Sequence, residues 1–237
     1  MKFFNAYEHI VPIVDVIAID NNTKIKNLTF LGTGVFISKG CILTCRHVIE
    51  SAKNIICSVY NIKNQPVYDG LKNIKSHPTA DLAIAEVGEK AKETYKPLKL
   101  DLESERWLGK DILNFSYVND FHENYQVALT PRLFKGHIMR TSEERNDPKN
   151  SYIEINFPAL KGMSGSPIID ANTSDVLGIV YQNFRTQILE DEWEDYALKD
   201  KESEITEKTT IYRVVDFAKA VNLSPYKDFI ESNIKIS

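Results

Sequence analysis

Short segments of alternating apolar and polar residues, each ended after a few positions by turn formers, run through this chain, and they limit it to folds built from many short antiparallel strands. The first part carries them at 14–20, 30–38, 42–44, 54–61 and 82–87. The second part adds 111–118, 125–130, 133–140, 152–157, 167–170 and 176–181, with a last strand near 210–214. At this spacing, in 237 residues of which 43% are hydrophobic, the strands read as barrels with a substantial core. The polar, lysine-rich stretch 88–100, with its single Pro97, is the best candidate for a connection between two halves, 1–95 and 96–237. Asn146-Asp147-Pro148 marks a loop. Near the C-terminus the period changes: Val214, Val215, Ala218 and Val221 fall at helical spacing, and Ser224-Pro225 supplies an N-cap and first-turn proline for a further short helix. A closing helix is therefore expected, with no repeat and no stretch left over for an appended domain.

Composition excludes several classes of function. The net charge of −4 lacks the basic stripe that phosphate backbones require, so no nucleic-acid partner is expected. No apolar run is long enough to span a bilayer, and Met1-Lys2-Phe3-Phe4 is interrupted at once by Asn5, Glu8 and His9, unlike a signal peptide. A cytoplasmic location with no membrane partner is the expectation. The three cysteines Cys41, Cys45 and Cys57 cannot all pair, which fits reduced thiols. Cys41 and Cys45 flank His47 and invite a metal reading, but no second pair has ligand spacing, so neither metal nor cofactor is expected. Frequent Lys, Ile and Asn fit an AT-rich, prokaryotic genome. Charge is uneven: residues 190–207 hold nine acidic residues against Lys199 and Lys201. This stretch is expected to be a mobile loop that either controls access or binds a regulatory protein, or is simply a solvated loop with no role.

The chemistry-bearing motif is Gly162-Met163-Ser164-Gly165-Ser166-Pro167. Two glycines around a serine let the backbone approach a reacting carbonyl from a crowded turn, which makes Ser164 the candidate nucleophile. A serine hydroxyl needs a base and something to orient that base. Ile42-Leu43-Thr44-Cys45-Arg46-His47-Val48 delivers a histidine at the end of a strand, and Asp81-Leu82-Ala83-Ile84-Ala85-Glu86-Val87 places an aspartate at the mouth of another. Each motif alone also fits an ordinary turn or core residue.

In the order His, Asp, Ser, with these flanks, the chain resembles the chymotrypsin-like (trypsin-like) serine proteases over roughly residues 12–221. The bacterial high-temperature-requirement proteases and glutamyl endopeptidases are the most similar branch, with Gly32-Thr33-Gly34-Val35-Phe36-Ile37 as the strand before the histidine. The resemblance implies an all-β fold of two six-stranded antiparallel barrels with a short C-terminal helix. It implies a serine endopeptidase in which His47 is the base, Asp81 its orienting partner and Ser164 the nucleophile. The N–H groups of Gly162 and Ser164 would form the oxyanion hole, and the strand through Val180, Tyr181, Gln182 and Asn183 would pair with substrate. Pro158 and Ala159 would line the specificity pocket. With Pro158 where trypsins hold an acidic residue and Val180 where glutamyl endopeptidases hold a histidine, the default is a small or medium uncharged P1 residue. Met163 replaces the aspartate that receives a freed N-terminus in secreted trypsins, which excludes that zymogen switch, and Val48 stands where they carry a disulfide cysteine. A regulated intracellular protease acting in stress or defence is the leading expectation. The competing one is a catalytically silent, protease-like peptide-binding module.

Overall fold

The computed structural model describes residues 6–19, 25–62, 65–103, 105, 107–121, 127–142, 151–199 and 203–234. Thirteen strands are assigned among them, and they divide into two sheets. The first sheet holds β1 (Ile10–Ile19), β2 (Ile25–Ser38), β3 (Cys41–Thr44), β4 (Ile55–Ile62), β5 (Gln65–Gly70), β6 (Lys72–Ser76) and β7 (Ala83–Glu86) in the order β5-β4-β1-β2-β3-β7-β6. It is open and seven-stranded, which corrects the expectation of a closed six-stranded barrel. Its two edges, β5 and β6, follow one another in the chain with only Leu71 between them. The chain thus joins the edges covalently, without a ladder between them. Leu71 donates its N–H to Ile56 O at 3.0 Å, which holds the bend against β4.

The second sheet is a closed barrel in the order β10-β13-β12-β11-β8-β9. Its strands are β8 (Asp111–Phe121), β9 (Val127–Ser142), β10 (Tyr152–Ile155), β11 (Pro167–Asp170), β12 (Val176–Lys199) and β13 (Ser203–Asn222). Between the sheets, α2 (Glu89–Thr94) occupies part of the expected connection; α1 (Arg46–Glu50) follows β3. A 3-10 turn, Ser224–Tyr226, with proline in its first turn leads into α3 (Lys227–Ile234), so the short closing helix is present. No helix among the described residues is long and apolar enough to cross a membrane.

Two expectations are overturned here. Residues 190–199 and 203–207 are strands, not loop: β12 and β13 pair from Gly178↔Asn222 out to Lys199↔Ser203, forming a long two-stranded arm. Val214, Val215, Ala218 and Val221 are not helical either; all four lie in β13. The end of β13 is buried on both faces, Ala218 and Ala220 in one core cluster and Val221 in the other, which breaks strict alternation, while Val214 is exposed. The Asn146-Asp147-Pro148 loop lies outside the described residues. At the root of the arm the Lys219 ammonium sits 4.4 Å from the Tyr152 ring centroid and 4.5 Å from that of Phe184, a cation–π clamp across three strands.

Candidate active site

β3 is wholly buried and ends at Thr44, so the chain turns at Cys45 and presents His47 on the first turn of α1 at the surface, its side chain 47% exposed. Asp81 precedes β7, which pairs with β3 through Thr44↔Ala83. That pairing puts the aspartate beside the histidine. His47 Nδ1 and Asp81 Oδ2 are 2.6 Å apart, and the His47 backbone N–H donates to Asp81 Oδ1 at 2.9 Å. One carboxylate thus fixes both the ring and the main chain of His47. Burial works to raise the Asp81 pKa, but the hydrogen bonds from the His47 ring and backbone outweigh it and hold the carboxyl below its ordinary value. Asp81 therefore remains an anion at neutral pH.

The loop that carries Asp81 is itself pinned. His77 Nδ1 accepts from the backbone N–H groups of Ala80 at 2.9 Å and Thr79 at 3.2 Å. The ring packs edge-on against Tyr226 and Phe229 of the C-terminal segment, at 5.0 and 4.9 Å between centroids. Arg46 reaches across to His77 O and Pro78 O at 3.1 and 3.2 Å. A nitrogen that accepts cannot carry a proton, and desolvation, aided by the Arg46 charge, lowers the His77 pKa below 6.5. Because the folded-state pKa is the lower one, the unfolded chain binds more protons below pH 6.5. Stability from His77 is thus complete above that value and lost as pH falls through the folded pKa. We expect His77→Asn, whose amide oxygen can replace the acceptor, to keep activity and flatten the acid limb of melting temperature against pH below about 6.5; an unchanged limb would reject this role.

Ser164 lies in the turn before β11, which docks on β2. Thr33 N–H donates to Ser164 O at 2.8 Å, and a Cβ placed on Gly32 would lie 2.7 Å from both Ser164 O and Val48 Cγ2. The nucleophile's backbone and the neighbour of His47 thus close on the same point of β2. Cys45 Sγ donates to Val180 O at 3.2 Å, and Val180 O also accepts from Gly165 N at 2.8 Å, a second tie between the histidine segment and the serine turn. Ser164 is half-exposed. Among the described residues its hydroxyl has no hydrogen-bond partner, and neither does His47 Nε2, which leaves both atoms free to engage a substrate or one another.

The peptide units around the proposed oxyanion hole are fixed from behind. Thr33 Oγ1, fully buried, donates to Gly162 O at 3.0 Å and accepts from Tyr117 N at 3.1 Å. Met163 N donates to Leu160 O at 3.0 Å, Leu160 N to Met163 Sδ at 3.0 Å, and Ser166 N to Met163 O at 2.9 Å. Among the described residues no carbonyl accepts from Gly162 N or Ser164 N. Met163, buried in the barrel core, and Thr33 thus order this turn together. The sequence reading missed Thr33, although the Gly32-Thr33-Gly34 strand it noted contains it.

Pro158 and Ala159 meet the β12 segment through Asn183. Ala159 N donates to Asn183 Oδ1 at 3.1 Å, while Asn183 Nδ2 and Arg185 Nε donate to Asp216 Oδ1 at 2.9 and 3.0 Å. Those two donors, Arg185 first, keep the Asp216 carboxyl below its ordinary pKa. Tyr181, Gln182 and Asn183 are accessible, but Val180 is fully buried with its N–H bonded to Ser166 O at 2.9 Å, so it lies beneath the cleft. Asp216 escaped sequence reasoning because only the β12–β13 register, Arg185↔Asp216, brings it here.

Ligand atoms of Cys45, His47 and Asp81 lie within 4.8 Å of one another; Cys41 is not among them. Burial, then the Asp81 charge, pushes the Cys45 thiol well above its ordinary pKa, so it is a neutral thiol spent on a carbonyl rather than a thiolate donor. Cys41 and Cys57 are likewise free, buried and raised by desolvation.

Among solved structures, the chain is similar to the HtrA-type protease AlgW with a decapeptide, at 16% identity and a TM-score of 0.62, covering 97% of this chain and 65% of that one. It is also similar to the active form of the Rv3671c protease from M. tuberculosis, at 17% identity and a TM-score of 0.61, covering 98% and 82%. At such identity these likenesses speak for the fold alone. The chain spans just under two thirds of the AlgW structure's length. A comparison with curated protein sequences found no match. The model of the trypsin-like peptidase domain matches residues 32–179, the span that holds His47, Asp81 and Ser164, and on that match the chain belongs to the trypsin-like peptidase family.

Proposed function

We propose that the chain is a serine endopeptidase that cuts protein substrates through His47, Asp81 and Ser164. The observation that carries this reading is the double hold of Asp81 on His47, ring and backbone together, beside a serine turn whose flanking peptide units are all tied down. His47 Nε2 takes the Ser164 proton as Oγ attacks the peptide carbonyl, then returns it to the leaving amine; Asp81 stabilises the imidazolium and fixes its tautomer. The developing oxyanion lies on the N–H groups of Gly162 and Ser164, donors worth roughly 3 kcal/mol each in other serine proteases. A peptide ligand fits the decapeptide of the AlgW structure. We place the enzyme in a bacterial cytoplasm, under control of a partner, in stress or defence. A fluorophosphonate probe is expected to label Ser164, read as a mass increase on the intact protein that Ser164→Ala abolishes. A wild-type protein that stays unlabelled while binding peptides in the cleft favours the silent module.

The P1 side chain in this reading is small or medium and uncharged. Asn183 bridges Ala159 and Asp216, whose carboxylate is already occupied by Asn183 and Arg185. Across P1-varied peptides, Asn183→Gly should raise kcat/KM for Leu or Phe relative to Ala by about tenfold, the worth of one or two methylenes. A wild-type preference for Lys or Arg, or a ratio unmoved by the substitution, rejects it.

A further inference from the structure

At Val180 the edge of β12 opposite β13 is occupied, since its N–H and C=O bond Ser166 O and Gly165 N at 2.9 and 2.8 Å, and β11 reaches no further along β12 than Ile179. From Tyr181 outward, among the described residues, β12 pairs with β13 alone. Its free edge therefore begins where the serine turn leaves it and continues through the arm to Lys199. A strand added there starts beside Ser164 and meets no other ladder among the described residues. An unpaired edge of this length is a template for pairing with another polypeptide. The bulge at Tyr181, where the register shifts between Val180 and Gln182, raises the local twist at the point of entry.

The arm's composition says what kind of strand it takes. Within β12 alone, residues 190–195 include Glu190, Asp191, Glu192, Glu194 and Asp195, and residues 190–207 carry nine acidic residues against two lysines. Nine steps of extended chain separate Tyr181 from Glu190, about 30 Å at 3.3 Å per residue. We propose that the free edge of β12 is a strand-pairing track for the substrate itself, which takes an extended segment N-terminal to the scissile bond with Lys or Arg some nine or more residues upstream. This rests on the peptidase reading above. Antiparallel addition, the better ladder, runs the substrate's N-terminal side toward the tip of the arm.

The test compares a cleaved core peptide with the same peptide extended on its N-terminal side by about 18 residues, either Lys-rich or Glu-rich at the far end. The Lys-rich peptide should show a kcat/KM at least tenfold above the Glu-rich one at low salt, mostly through KM, and the ratio should shrink toward one at about 0.5 M salt. Two variants carry the control. In the first, Leu189 through Tyr212 is replaced by Asn-Gly, which joins the paired residues Ile188 and Arg213 by a two-residue hairpin turn. In the second, Glu190, Asp191, Glu192, Glu194 and Asp195 become Gln or Asn and the ladder stays intact. Both should cleave the core peptide at the wild-type rate and lose the preference. Equal rates for the two extended peptides, a preference that survives in both variants, or a gain only from C-terminal extension would each overturn the proposal. So would tight binding of a free Lys-rich peptide that leaves cleavage untouched, the result expected of a separate regulator. A core peptide left uncut by all proteins, with no labelling of Ser164, removes the peptidase reading and this proposal with it.

Discussion

Ser164→Ala and His47→Ala are each expected to lower kcat by roughly 10⁴- to 10⁶-fold, and the double variant should be no worse than either single one, because members of a triad act as one unit. The reason is geometric as well as chemical: the base is aimed by a carboxylate that also grips its main chain. Neither side chain belongs to the buried core, so both variants should melt close to wild type. Asp81→Asn should lose about 10⁴-fold through the wrong imidazole tautomer. It should also melt lower, since the amide cannot serve both the ring and the backbone N–H as an ionised acceptor. Active-site titration and peptide hydrolysis across the four proteins measure all of this. Hydrolysis by Ser164→Ala at the wild-type rate would end the assignment.

The second large effect concerns stability. Gly165 holds φ at +86°, and a Cβ there would stand 1.9 Å from Thr33 O and 2.2 Å from Thr44 Oγ1. Both neighbours are buried strand residues, and Thr44 Oγ1 already donates to Thr33 O at 2.8 Å. Left-handed backbone and overlap with fixed atoms add to one another, so Gly165→Ala should cost about 4 kcal/mol or more. For a chain of this size that lowers the melting temperature by about 8–16 °C. A melting temperature within 2 °C or so of wild type would show that the serine turn does not pack on β2 and β3 as described.

How far the sequence revealed this molecule differs by region, for physical reasons. The strand ends at which His47, Asp81 and Ser164 stand were legible because β3, β7 and β11 are buried almost throughout, and such burial writes a short apolar run into sequence. β5 and β6 were missed. Gln65–Gly70 holds a proline and a glycine, and Lys72–Ser76 has a single half-buried residue among exposed ones, so neither carries such a run. The arm misled for another reason: the ladder between β12 and β13 is made by backbone groups, which lets a strand be as charged as a loop. Thr33, Asp216 and the packing of His77 on Tyr226 and Phe229 were silent because they depend on partners far away in the chain, and no local pattern encodes a hydrogen bond across 84 or 129 residues.

Several of the hydrogen bonds that seat the serine turn cross between the two sheets. Thr33 in β2 holds Gly162, Ser164 and Tyr117, and Cys45 reaches Val180 in β12. During synthesis the ribosome delivers His47 and Asp81 on a sheet complete by Glu86, long before the barrel can close through β13. Under the proposed mechanism a nascent chain thus owns its base while it still lacks an ordered nucleophile, and it cannot cut its neighbours on a polysome. Competence arrives in one step, at the moment the last strand is in place.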